Sequence, residues 1–231
     1  FSSRRRHTRY GTVTGVQTCA LPILSPPTAR RIGILAYGSL IEDPGFEIEP
    51  HIVEKVAEVE TPFPIEFVRT SPIRGGGPTV VPVETGGASV RGMVFVLHER
   101  ISRKNALDLL WRRETRNEGT ALGYEIPPRP DPNRMLAVEL RNFAGLGVVL
   151  YAKFGATLTD PTPDELADLA IRSVGTGAGM RGRDGISYLI SLKRQGIVTP
   201  LMGAYEQAIL TKTSAASLED ALAGLRQNAV R

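Results

Sequence analysis

Glu114 stands where a helix would be expected to bury a leucine. Leu107, Leu110 and Trp111 are spaced i, i+3 and i+4, and Glu114 completes the stripe at i+7. At ~100° per residue this puts it in the middle of one apolar face, while Arg112 and Arg113 point elsewhere. A carboxylate on such a face is costly unless it is paired or protonated. Burial raises its pKa toward the range in which a general acid/base works at neutral pH. On this reading glutamine at position 114 leaves stability unchanged or raises it. The same residue also reads as a solvated group at a fraying helix end, or as the ion-pair partner of an arginine. A second signal is Tyr37-Gly38-Ser39-Leu40, directly after the apolar run Ile32-Gly33-Ile34-Leu35-Ala36. Glycine permits unusual dihedrals and close approach, and successive backbone N–H groups there can form an anion-binding concavity. An ordinary strand-to-loop turn is the other reading of these four residues.

Other chemistries find less support. Gly177-Ala178-Gly179-Met180-Arg181-Gly182 matches G-x-G-x-x-G, but it follows a helical pattern instead of a strand, so it fails the context of a dinucleotide site. A glycine-rich loop over the active site, bearing Arg181, Arg183 and Asp184, is the better reading. Arg74-Gly75-Gly76-Gly77 could bind an anion, but a plain flexible loop is the better reading. His51 and His98 have no ligand spacing between them, so no metal is expected. There is no G-x-S-x-G, and the single cysteine, Cys19, has no histidine arrangement for acyl-enzyme chemistry.

The elements that must position Glu114 and the 37–40 turn follow from periodicity. Ile32–Ala36 reads as a strand buried on both faces. Residues 51–60 fit helix and strand about as well. Residues 65–69 read as an extended run, with Pro62 and Pro64 favouring an edge or a strand start. Thr79–Val83 and Val90–Leu97 are expected to pair as a hairpin through Glu84-Thr85-Gly86-Gly87, and Met135–Leu140 with Val148–Phe154 around Gly145-Leu146-Gly147. Ser102 is the expected cap of a helix over 103–116. Thr162-Pro163-Asp164-Glu165 opens another to Val174. Further helical runs lie near 185–195 and 202–211, and a last one is capped by Ser217. Strands with one inserted helix, then a helical C-terminal quarter, imply an α+β fold with an antiparallel or mixed sheet.

Tyr-Gly-Ser-Leu after a first strand, with a helix ending in Glu after a hairpin, resembles the γ-glutamylcyclotransferase fold family. Leu35-Ala36-Tyr37-Gly38-Ser39-Leu40-Ile41 followed by Pro44-Gly45-Phe46 resembles its ChaC-type, glutathione-degrading branch. So do Phe67-x-Arg69-x-Ser71 with Arg74-Gly75, and the Arg112-Arg113-Glu114 helix end. The resemblance covers residues 31–155. It implies a barrel-like sheet in a catalytic domain over 25–160, with residues 161–231 as a helical extension packed on it. It also implies that Tyr37, Gly38, Ser39 and Leu40 hold the substrate, that Tyr124 lines the site, and that Glu114 is the catalytic acid/base. The implied reaction cleaves a γ-glutamyl amide to 5-oxoproline and a free amine, without cofactor or metal, in the cytoplasm. Glu42 stands where that branch typically carries tryptophan. The alternatives are a non-catalytic module that binds γ-glutamyl or carboxylate groups, and an enzyme acting on γ-glutamyl-amines instead of glutathione.

Residues 1–24 share no pattern with the rest and resemble translated sequencing-adapter read-through. They contain Arg4, Arg5, Arg6 and Arg9, no acid, and the only cysteine. The chain has 28 Lys+Arg against 24 Asp+Glu, so these four arginines account for the whole net charge. The remainder is formally neutral and gives no argument for nucleic acid or membrane surfaces; the expected partner is a small γ-glutamyl molecule. A chain beginning at Ser25 is expected to be as stable as the full one.

Overall fold

Ile34, Leu35 and Ala36 have no exposed surface, and their place in the sheet explains it. In the computed structural model, which describes residues 31–129 and 131–229, strand β1 (Ile32–Ala36) is the middle of five. It pairs antiparallel with β5 (Arg91–Leu97) and parallel with β7 (Leu146–Lys153). Beyond these lie β2 (Ile52–Glu60), antiparallel to β5, and β6 (Leu136–Phe143), antiparallel to β7. The sheet is therefore mixed, and the fold is α+β. Gly33 is required at the crowded centre: a Cβ there would sit 2.7 Å from Leu146 Cδ1 and 2.8 Å from Val94 Cγ1. The run at 51–60 resolves as strand, because its valines complete the ladder with β5; it is irregular, with register shifts and Glu58 at φ 56°. The β6–β7 hairpin closes through Ala144 and Gly145, both at positive φ, as a two-residue turn of this twist requires.

The expected hairpin between 79–83 and 90–97 does not form. Strand β4 (Gly77–Pro82) pairs with β3 (Ile65–Ser71) in a separate two-stranded sheet. Their connection is the 3-10 turn Pro72–Arg74 followed by Gly75 and Gly76, both at positive φ. Two prolines in β4, Pro78 and Pro82, lack the N–H a central ladder needs, whereas Val94 and Val96 of β5 fill the central sheet. Only a single bridge, Ile65 to Ala88, joins the 84–90 connection to β3.

Seven helices are described: α1 (Ser39–Glu42), α2 (Arg103–Thr115), α3 (Pro163–Val174), α4 (Gly177–Met180), α5 (Gly185–Arg194), α6 (Met202–Thr213) and α7 (Leu218–Ala229). Their starts follow the capping residues. Ser102 Oγ accepts from Asn105 N at 3.2 Å, Thr162 and Glu165 form a reciprocal capping box, and Ser217 Oγ accepts from Asp220 N. Helix α2 covers one face of the central sheet, where Leu110, fully buried, packs with Ile34, Phe95 and Leu150; truncating such a leucine costs about 2–5 kcal/mol. The C-terminal helices build a second core on the β3–β4 hairpin, joining Ile65, Phe67 and Val80 to Leu166, Ile186, Leu189 and Tyr205. No described helix is long and apolar enough to cross a membrane. Residues 1–24 lie outside the described residues.

Candidate active site

The two cores leave a cavity of about 590 Å³ between them, within the ~300–1,000 Å³ usual for small-molecule sites. The turn after β1 forms one wall. Tyr37 Oη donates to the Ala152 carbonyl on β7 at 2.8 Å, which anchors the strand end. Gly38 then adopts φ 60°, ψ −134°, and a Cβ at that position would lie 2.8 Å from Tyr188 Oη, so only glycine fits. Helix α1 follows as one turn, closed by Ile41 N to Gly38 O and Asp43 N to Ser39 O, both 3.1 Å. The first N–H groups of such a turn have no acceptor within it. Tyr37, Ser39 and Leu40 line the cavity together with Glu114. Gly38 supports the turn from behind. Tyr124 does not line the cavity: its hydroxyl accepts from Ala137 N on β6 at 3.1 Å, and its own N–H is taken by Asp108.

The face of α2 is set one residue away from the expected stripe. Ala106, Leu109, Leu110 and Arg113 are the buried positions, and Leu107, Trp111 and Glu114 lie along their margin. Arg113 is therefore the charged group inside, 3% exposed, and it does not point elsewhere. Its Nη1 donates to Glu114 Oε1 at 2.6 Å, Nη2 to Ser39 O at 3.0 Å and Asp43 O at 2.6 Å, and Nε to Asp43 O at 3.0 Å. One guanidinium thus ties the carboxylate of Glu114 to both ends of α1. Glu114, its side chain 17% exposed, is paired and also open to the cavity. Helix α2 stops at this point because Arg116 takes the left-handed conformation (φ 58°, ψ 36°), with its N–H on Arg112 O and Arg113 O.

The cavity is cationic. Arg69, Arg74, Arg113, Arg116 and Arg183 line it against Glu42, Asp43 and Glu114. Arg69 is held by Pro132 O, Gly155 O and Asn133 Oδ1. Arg116 reaches Asp43 only at 3.9 Å. Burial first, then the nearby Arg113 and Arg183, pull the Arg116 pKa below its ordinary value, opposed by Asp43 and Glu114. The Tyr37 phenol is pushed well up, first by burial and then by Glu114, Tyr188 and Tyr151, and so keeps its proton at neutral pH. Among the described residues no three His, Cys, Asp or Glu side chains gather as metal ligands.

Sequence reading missed Arg113 and Tyr188 as wall residues; Arg183 lines the cavity as the glycine-rich loop over the site implied, and Arg74 lines it too. The glycine-rich 177–182 stretch forms the single turn α4 and a return to α5, and Gly182 and Arg183 reach the cavity wall. Asp184 instead is fully buried; it caps α5 through Ser187 and pairs with Arg226 of α7 at 3.2 Å. A tyrosine among the buried apolar positions Ile186, Leu189 and Leu192 of α5 was the signal for Tyr188, since its polar tip needs somewhere to go.

No protein family and no curated protein matches the sequence of this chain. Among solved structures, the crystal structure of a γ-glutamyl cyclotransferase specific to glutathione from yeast is similar, at 16% identity over 79% of this chain and 99% of that one, with a TM-score of 0.49.

Proposed function

We propose that this protein is a γ-glutamyl cyclotransferase, which converts a γ-glutamyl amide to 5-oxoproline and the free amine, with Glu114 as general acid/base. The observation that carries the reading is that Glu114, Tyr37, Ser39 and Leu40 face one cavity, with Arg113 linking the carboxylate to the carbonyls of Ser39 and Asp43. The reaction needs little more. The substrate's α-ammonium gives a proton to the Glu114 carboxylate, and the freed amine attacks the substrate's own γ-carbonyl carbon, closing a five-membered ring. Collapse of the tetrahedral intermediate breaks the original amide C–N bond as Glu114 returns the proton to the departing nitrogen. The second proton of the attacking amine passes to the released amine, leaving a neutral lactam and an ammonium. No water is consumed, and the glutamate ends in its starting state. Both reactants belong to one molecule, so the protein's task is to hold the curled conformer. The 37–40 turn serves this by offering the first N–H groups of α1 to the α-carboxylate. Arg113, bonded to Oε1, fixes the rotamer that presents Oε2.

Incubating the full chain with γ-glutamyl compounds and following 5-oxoproline tests the proposal. Release that depends on Glu114 supports it. Binding of γ-glutamyl ligands without any release would make the protein a binding module.

A further inference from the structure

Arg74 is a cavity arginine whose side-chain donors meet no hydrogen-bond acceptor among the described residues. It ends the 3-10 turn between β3 and β4, and its guanidinium lies 3.5 Å from the centroid of the Tyr188 ring. Its Nε is buried with no hydrogen-bond partner. Among the described residues no carboxylate comes within 4.0 Å of it. Arg69 and Arg113, by contrast, spend their donors on carbonyls and Glu114. A guanidinium enclosed without an acceptor carries a desolvation cost that an arriving anion would offset. That cost is visible in its lowered pKa, caused first by burial; Tyr188 opposes the shift, Arg113 and Arg116 add to it, and Glu114 opposes it.

The C-terminal helices build this position. Tyr188 of α5 supplies the platform, and its hydroxyl abuts Gly38, so the stack leans directly on the 37–40 turn. Thr176, at the start of α4, packs so closely on Gly75 that a Cβ there would lie 2.1 Å from its Oγ1, which seats the turn that carries Arg74. Arg183 lines the same cavity, exposed at its rim, again with no carboxylate within 4.0 Å among the described residues.

We propose that Arg74, stacked on Tyr188, is the subsite for a carboxylate on the departing half of the substrate, so that the enzyme takes γ-glutamyl amino acids or peptides in preference to γ-glutamyl-amines. This rests on the cyclotransferase reading, in which the α-carboxylate is already assigned to the 37–40 turn. A γ-glutamyl-amine has one carboxylate, balanced by its own ammonium, and leaves Arg74 unsatisfied. A γ-glutamyl amino acid brings the second.

The test compares γ-glutamylglycine with γ-glutamyl-ethylamide, which carries a methyl group in place of that carboxylate, on the wild-type chain, Arg74→Met and Arg74→Lys. Wild-type kcat/KM should favour γ-glutamylglycine by about 10- to 100-fold, as a charge-assisted pair in a cavity allows. In Arg74→Met the ratio should fall to about one, chiefly through the KM for γ-glutamylglycine, and Arg74→Lys should recover part of it. Melting curves confirm that each variant is folded; should the methionine variant fail, the lysine variant carries the comparison with a reduced ratio. A ratio near one in the wild type, or one unchanged by Arg74→Met, overturns the proposal. If neither compound releases 5-oxoproline, the cyclotransferase reading fails separately. Calorimetric binding of the same pair then decides the subsite: a γ-glutamylglycine preference that Arg74→Met abolishes supports it, and equal or absent binding overturns it.

Discussion

Glu114→Gln separates the chemical from the structural role of one carboxylate. The sequence argument treats Glu114 as a buried charge whose removal relieves desolvation, so stability should hold or rise. The structure reverses that expectation, because Glu114 Oε1 accepts from Arg113 Nη1 at 2.6 Å and the arginine side chain is 3% exposed. Glutamine keeps an acceptor oxygen, so a charge-assisted bond becomes a neutral one, a loss of about 1–2 kcal/mol. Arg113 retains Ser39 O and Asp43 O, which keeps the loss below the ~3–5 kcal/mol of a buried charge left with no partner. For a domain of this size the melting temperature should fall by about 2–8 °C. Release of 5-oxoproline, measured well below the transition so that both proteins are folded, should fall ~10²–10⁴-fold. Ligand binding by calorimetry should persist, since the 37–40 turn is untouched. An unchanged or raised melting temperature would refute the assigned worth of the ion pair. Retention of more than about a tenth of the activity, well above the expected loss, would remove Glu114 from the chemistry.

Three further outcomes follow from particular contacts. Ser39→Ala should raise KM with kcat nearly kept, because the proposed role of the turn is to hold substrate and its Ser39 carbonyl bond to Arg113 is retained; a collapsed kcat at unchanged KM would instead give the hydroxyl a chemical role. Glu66→Ala should lower the melting temperature by at least about 6 °C, roughly 3 kcal/mol, because this 5%-exposed carboxylate accepts from Phe67 N, Thr199 Oγ1 and Leu201 N. A fall below about 2 °C would mean that those donors find other partners. The Thr162 N–H and hydroxyl hold Glu165 below its ordinary value of 4.5, so its contribution is present above that pH and is lost as pH falls through the lowered folded value. The gap in melting temperature between wild type and Glu165→Ala should therefore be open at neutral pH and close in acid; a gap independent of pH contradicts the capping assignment.

What the sequence by itself determined was local. The double-faced burial of Ile32–Ala36, the capped starts at Ser102, Thr162 and Ser217, and the glycine after Tyr37 all depend on residues within a few positions of one another. Chain-local chemistry is legible because it needs no partner. Periodicity placed Glu114 near the inward face of α2 but one step off, since adjacent positions differ by only ~100° and two neighbouring charged residues leave the choice open. Packing against β1 and β7 decided it, burying Arg113 and leaving Glu114 at the margin. Strand pairing was likewise tertiary: the 84–87 turn suits a hairpin, yet β5 gains more by completing the central sheet, and β4 turns to β3. Arg74 comes from the β3–β4 turn, whereas Arg183 and Tyr188 come from the start of α5, more than a hundred residues further on. They meet only because the C-terminal helices fold back on the β3–β4 hairpin and close the cavity that α1 and α2 leave open.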